Sequence, residues 1–236
     1  MIYKFLNFLV FLFFFIFSFN SLSDDSLKIA INNPFRGAEN IQRDKYRNPY
    51  DTLSFFEISK EKKVLEVIPG TGWYTEIISK YMKGSENFYV LMYDNPNLDI
   101  VKKIQKKFLK KFDKNQSFGS VKKIYFNENL DVDQKNGYFD LVLTFRNSHN
   151  WLQMKKAEKA YKSFSKLLKK GGILGVVQHR SSNNNKEDFT KGYVKESFLI
   201  NLIENQGFKF LEKSEINANP RDKKNYKKGV WSLPPR

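Results

Sequence analysis

Residues 64–78 read Val-Leu-Glu-Val-Ile-Pro-Gly-Thr-Gly-Trp-Tyr-Thr-Glu-Ile-Ile, and their reading decides the fold. A short apolar run carries one acid, Glu66. Pro69, Gly70 and Gly72 follow, and helical spacing resumes at Trp73. This order predicts a strand that hands the chain to a helix through a turn nearly bare of side chains. Glycine permits both the tight turn and the close approach of a ligand to the main chain. Behind the turn, the first amides of a helix lack intrahelical acceptors and face any polar ligand lying there.

Outward from this turn, strand-like runs recur at residues 88–93, 121–126, 139–145 and 173–177. Helical spacing fills the intervals at 73–82, 101–112 and 154–168, with a further helix inside 192–207. Gly171-Gly172 marks the end of the 154–168 pattern. Strands alternating with helices predict an α/β chain with a doubly wound, mostly parallel Rossmann-like sheet. Two last apolar runs, 209–216 and 229–233, have no long helix between them and predict an antiparallel hairpin at one C-terminal edge.

The N-terminus stands apart. Lys4 precedes an apolar run from Phe5 to Phe19, and Ser21-Leu22-Ser23 places small residues before Asp24. That is the layout of a secretory signal, and the run is shorter than the roughly 20 residues of a membrane span. Residues 1–23 are therefore expected to be a cleaved signal peptide, with export to the periplasm. An uncleaved anchor in the inner membrane is the alternative, and the membrane is a partner only in that case. Residues 24–50 form an N-terminal extension rich in arginine, and 51–236 form the domain.

The chain of 236 residues contains no cysteine, which removes disulfides, a thiolate nucleophile and a cysteine zinc site. Its net charge of +16 raises the question of nucleic acid or an anionic surface. Lysines are spread along the whole chain, however, and the most basic stretch keeps Val101, Ile104, Phe108 and Phe112 at helical spacing. That pattern reads as an amphipathic helix with a solvated lysine face, so no specific nucleic-acid partner is expected.

Several motifs together resemble the class I S-adenosylmethionine-dependent methyltransferases. Their first motif is an acid followed by glycines two, four and six positions later. Glu66, Gly70 and Gly72 fill three of these places, and Ile68 stands at the first glycine. Tyr138-Phe139-Asp140-Leu141-Val142 resembles the fourth-strand motif, and Leu168-Lys169-Lys170-Gly171-Gly172 the entry to the fifth strand. The resemblance implies S-adenosylmethionine as cofactor, with Asp94 at the ribose hydroxyls and Asn127 near the adenine. A narrower resemblance is to a group of bacterial methyltransferases, many with export signals. It is carried by Arg43-Asp44-Lys45-Tyr46-Arg47, Pro69-Gly70-x-Gly72-Trp73-Tyr74, Arg146-Asn147-x-His149-Asn150-Trp151 and Gly229-Val230-Trp231.

In such a sheet, ligands sit beyond the carboxyl ends of the strands. Arg146, Asn147 and His149 follow the fourth strand, and His179 and Arg180 follow the fifth. His149 and His179 are the two histidines of the chain. A hydroxyl or amine methyl acceptor must shed a proton, and histidine accepts one near neutrality. His149 is the first candidate base and His179 the second; each has a structural alternative as a helix cap or loop tie. Arg146, Asn147 and Arg180 are candidate substrate contacts, the arginines by clamping a carboxylate or phosphate or, alternatively, by pairing with acids such as Glu215. No metal site is assigned. The leading functional reading is methyl transfer to a small or lipid-like acceptor. The others are an exported, non-enzymatic small-ligand-binding protein on the same fold and a basic surface-binding protein.

Overall fold

The structure, a computed structural model, describes residues 25–113, 115–182 and 186–234. The proposed signal segment, residues 1–23, lies outside them. Among the described residues no helix is long and apolar enough to cross a membrane.

Five strands, β1 (Val64–Val67), β2 (Phe88–Tyr93), β3 (Lys122–Phe126), β4 (Phe139–Phe145) and β5 (Leu168–Val177), form one sheet in the order β3-β2-β1-β4-β5. Every pair is parallel. From β1 the chain winds outward to β3, then returns to lay β4 on the other side of β1. The order reverses between β1 and β4, where a crevice opens beyond the strand ends.

Strand β1 is buried on both faces, as a central parallel strand must be. Its alternation sends Val64 and Glu66 toward one layer and Leu65 and Val67 toward the other. The first layer holds α4 (Trp73–Tyr81) and α5 (Asp99–Phe112), whose Ile77, Ile78, Phe108 and Phe112 pack on Val64, Val90 and Leu143. The second holds α6 (Ser148–Gln153), α7 (Ala157–Leu167) and α8 (Glu196–Glu204), with Trp151, Tyr161, Phe164 and Leu199 against Leu65, Leu91 and Val142. The basic stretch forms α5 as expected, with Phe108 and Phe112 buried and its lysines outward except Lys111, which reaches buried Glu76.

Residues 25–50 are built into the first layer. Helix α1 (Asp25–Ile31) buries Leu27 and Ala30 in that core, and α2 (Ala38–Ile41) follows it. Helix α3 (Pro49–Phe55) starts at Pro49, whose fixed φ and missing N–H suit a first helical position. Arg36, 2% exposed, donates to both carboxylate oxygens of Asp44 at 2.7 Å and lies 3.5 Å from Glu76 of α4. Asn40 donates to both Glu76 oxygens at 3.0 Å, and its carbonyl accepts from the Trp73 indole at 2.8 Å.

The expected C-terminal hairpin does not form. Residues 209–215 are extended but unpaired and exposed, with Leu211 73% accessible, so no apolar face holds them to a sheet. Side chains tie this segment down instead, including a Glu204 carboxylate that accepts from the Phe210 amide. Gly229–Ser232 coils into a short 3-10 turn. There Gly229 takes φ 56°, and an added Cβ would lie 2.1 Å from the Lys191 carbonyl oxygen.

Gly72, at φ 87°, backs onto α5, and a Cβ there would sit 2.4 Å from Phe112. Gly72→Ala combines backbone strain with overpacking, each about 1–3 kcal/mol. Urea unfolding of this variant should show stability lowered by about 2–4 kcal/mol, and an unchanged midpoint would contradict the packing described.

Candidate functional site

Ile68 occupies the place of the first motif glycine and adopts the backbone that glycine would adopt, with φ 47°. A β-branched residue in the left-handed region costs about 1–2 kcal/mol. Tertiary hydrogen bonds hold it there. The Ile68 amide donates to the Leu91 carbonyl at 2.8 Å. Buried Asn147 donates through Nδ2 to the Val67 carbonyl at 2.9 Å and the Thr144 hydroxyl at 3.1 Å. Asn147, expected at the substrate, thus spends its amide on tying the end of β4 to the turn after β1. Gly70, at φ 62°, has nothing within 4 Å of a hypothetical Cβ and opens on the cleft.

Glu66 is 2% exposed and does not line the cleft among the described residues. It points into the α4 layer, where Thr75 donates to it at 2.6 Å. Burial pushes its carboxyl up to about 8, the Thr75 hydrogen bond only partly opposing the shift. A neutral Glu66 fastens β1 to the first turn of α4, a supporting role beside the expected cofactor contact.

Asp94, at the end of β2, and Asn127, at the end of β3, are both exposed and line the cleft. The Asp94 amide donates to the Phe126 carbonyl at 3.0 Å, which joins the two strand ends. Asn127 Oδ1 accepts from the Asn129 and Asp131 amides and shapes the loop beneath.

Across the crevice, the two histidines sit on neighbouring strand ends as expected. His149, in α6, is 5% exposed, with Nδ1 3.5 Å from the Gln178 amide nitrogen and its ring edge-on to Trp231. His179 is half-buried beside Tyr193. Burial first, then Arg146, His149 and Arg47, drives His179 down to about 4. Burial also lowers His149, with Arg146 adding to the effect. Both rings are neutral at neutrality.

The arginines divide. Arg180 is occupied: it makes two hydrogen bonds to Glu215, at 2.7 and 2.6 Å, and one to Glu196 at 2.8 Å. The structural alternative therefore describes Arg180 better than a substrate clamp. Arg146, at φ 63°, lines the cleft half-buried and has no acidic partner among the described residues. Arg43 and Arg47, which a search of strand ends overlooks, arrive at the same wall from the N-terminal segment. Their signal in the sequence was the Arg43-Asp44-Lys45-Tyr46-Arg47 motif.

No family model and no curated protein matches the chain. Among solved structures it is similar to a SAM-dependent methyltransferase from Aquifex aeolicus, at 16% identity and a TM-score of 0.55, over 78% of this chain and 88% of that one. The fold is that of the class I methyltransferases. A second likeness is to a Bacillus halodurans protein proposed to be a methyltransferase, at 16% identity and a TM-score of 0.50, over 70% of this chain and 71% of that one. On the methyltransferase fold, the turn at 68–72 occupies the end of β1 and the histidines and Arg146 the ends of β4 and β5.

Glu66 generates a stability prediction. The native carboxyl keeps its proton up to about 8, whereas the unfolded chain releases it near 4.5. Its contribution is complete below the unfolded value and is lost as pH rises through the folded one. Relative to wild type, Glu66→Gln should gain on the order of 2–4 kcal/mol between pH 5.5 and pH 8, because the amide has no proton to lose. Paired urea titrations at the two pH values measure this difference, and equal slopes would rule out a buried neutral Glu66.

Proposed function

We propose that the protein is an S-adenosylmethionine-dependent methyltransferase acting on a small or lipid-like acceptor, exported to the periplasm by its N-terminal segment. One observation carries this reading: the turn after β1 keeps a glycine-like backbone at Ile68 although glycine is absent. Retaining a costly conformation through Asn147 and Leu91 makes sense if the shape of the turn matters to a ligand. The alternative, a non-enzymatic binding protein, rests on the signal layout of the N-terminus together with the missing first glycine; the persisting backbone shape weakens the second ground and leaves the first.

The residues fit the cofactor. Gly70 leaves open space where the main chain must approach a ligand. Asp94 offers an exposed carboxylate for two hydroxyl donors, and the Asn127 loop supplies a wall beside it. When bound, the cofactor supplies an activated methyl group on a sulfonium sulfur. The protein's task is then to align the acceptor, exclude water and take up one proton.

His149 suits the proton transfer better than His179. A histidine held down to about 4 is a weak base, while the lowering of His149 by burial and Arg146 is opposed by its contact with Gln178. The 3.5 Å contact with Gln178 is too long to dictate a tautomer. To take up the proton, His149 must offer the acceptor whichever ring nitrogen is unprotonated. Trp231 and Tyr74 wall this end of the cleft; Tyr74 lies stacked on Phe145 with ring centroids 3.6 Å apart.

Calorimetric titration of the purified protein with S-adenosylmethionine and S-adenosylhomocysteine tests the cofactor. Micromolar binding is expected, weakened tenfold or more by Asp94→Ala, whose exposed side chain is not needed for folding. Absence of saturable binding to folded protein would sink the proposal. With cofactor labelled in the methyl group and a cell-envelope extract as acceptor source, His149→Gln should slow transfer by about 10²–10⁴-fold. Its cofactor affinity should not change. A variant as fast as wild type would assign His149 a structural role.

A further inference from the structure

We infer that Arg43, Arg47 and Arg146 form a receptor for a phosphate-type oxyanion on the methyl acceptor, an inference that rests on the methyl-transfer reading above. The three guanidinium groups come from two places in the fold. Arg43 and Arg47 flank the short turn Asp44–Tyr46, and Arg146 follows β4. All three are half-buried and line the cleft on the side of His149 and His179. Asp94 and Asn127 belong to the ends of β2 and β3, on the other side of β1.

The acids nearby are already spent. Asp44, between the two N-terminal arginines, is held by both guanidinium nitrogens of Arg36. Glu76 serves Arg36, Asn40 and Lys111. Glu196 and Glu215 serve Arg180 and Lys213. Among the described residues none of Arg43, Arg47 and Arg146 has an ion-pair partner. Arg47 stacks over the Trp73 ring at 4.5 Å, which orients its fork without neutralising its charge.

Guanidinium groups do not lose their protons at neutrality, so three of them at one wall need an anion. Burial and then Arg146 push Arg47 down to about 9, and burial with nearby Arg43 lowers Arg146. A carboxylate has two oxygens in one plane and one negative charge. A phosphate monoester presents three oxygens in three directions with nearly two charges, which matches three forks, two from the N-terminal turn and one from the end of β4. The neutral histidines beside them add polar contacts and no further positive charge at neutrality.

The test uses inorganic phosphate as probe, titrated calorimetrically into the purified full chain at fixed ionic strength, with acetate and chloride as comparison anions. S-adenosylhomocysteine affinity is measured on the same samples. Wild type should bind phosphate saturably and at least tenfold more tightly than acetate. Arg43→Gln and Arg146→Gln should each weaken phosphate at least fivefold, with S-adenosylhomocysteine affinity held within twofold. Among the described residues the Arg43 side chain makes no hydrogen bond or ion pair, so its variant should retain the fold. Lys103→Gln, on the outer face of α5, removes the same charge elsewhere and should change nothing.

Unsaturable phosphate binding beside intact S-adenosylhomocysteine binding would overturn the inference and leave the methyltransferase reading standing. A joint loss of both ligands in the arginine variants would assign the cluster to the cofactor's own carboxylate and overturn it as well. Equal affinity for acetate would exclude phosphate as the recognised group. A second arm locates the source of the phosphate. Cosedimentation with phosphatidate vesicles that is lost in Arg43→Gln and Arg146→Gln supports a lipid-borne phosphate; cosedimentation equal in all variants, with phosphate binding intact, supports a soluble ester.

Discussion

A single buried carboxylate, Glu76, organises the half of the molecule that faces ligands. It sits in the middle of α4 with no solvent exposure and receives Arg36, Asn40 and Lys111. Desolvating an isolated carboxylate is expensive, and leaving one charge of such a set alone costs about 3–5 kcal/mol. The network is therefore all or nothing. Once satisfied, it fixes α2 and the turn after it against the helix that begins at the glycine turn, because Trp73 bonds the Asn40 carbonyl. The positions of Arg43 and Arg47 at the cleft wall follow from that attachment.

The architecture was legible because central parallel strands announce themselves. Residues 64–68 and 139–145 are apolar runs interrupted by Glu66 in the first and by Asp140 and Thr144 in the second, and burial on both faces favours such near-continuous runs. The C-terminal hairpin was misread for a related reason. Residues 208–211 supply apolar letters, but in the fold Phe210 and Leu211 face water, and side-chain ties to Glu204, Glu196 and Arg180 hold the segment without a ladder. Composition reports apolar content; it does not report whether a neighbouring strand is within reach.

The site was legible at the strand ends and opaque elsewhere. Asp94, Asn127, Arg146 and both histidines line one cleft because topology alone brings strand ends together. The behaviour of Glu66 and Asn147 depended on which way a side chain turns, and pairing choices such as Arg180 with Glu215 depend on a segment 35 residues away. Ile68 shows the limit in both directions. Its letter argued against the motif, while its backbone keeps the motif's shape, since tertiary bonds and not local preference set that dihedral.

Without a closing hairpin, β3 and β5 are both outer strands, and an outer strand presents a row of peptide groups with no neighbour in its sheet. Each carries a pair of adjacent lysines, Lys122-Lys123 and Lys169-Lys170, and β5 is further broken by an irregularity near its start. Three of these lysines are paired within the chain, Lys122 with Glu86, Lys123 with Asp113 and Lys169 with Asp140. The basic excess of the chain, which looked like an invitation to polyanions, then acquires a colloidal meaning: a net charge of +16 works against the association of open-edged copies.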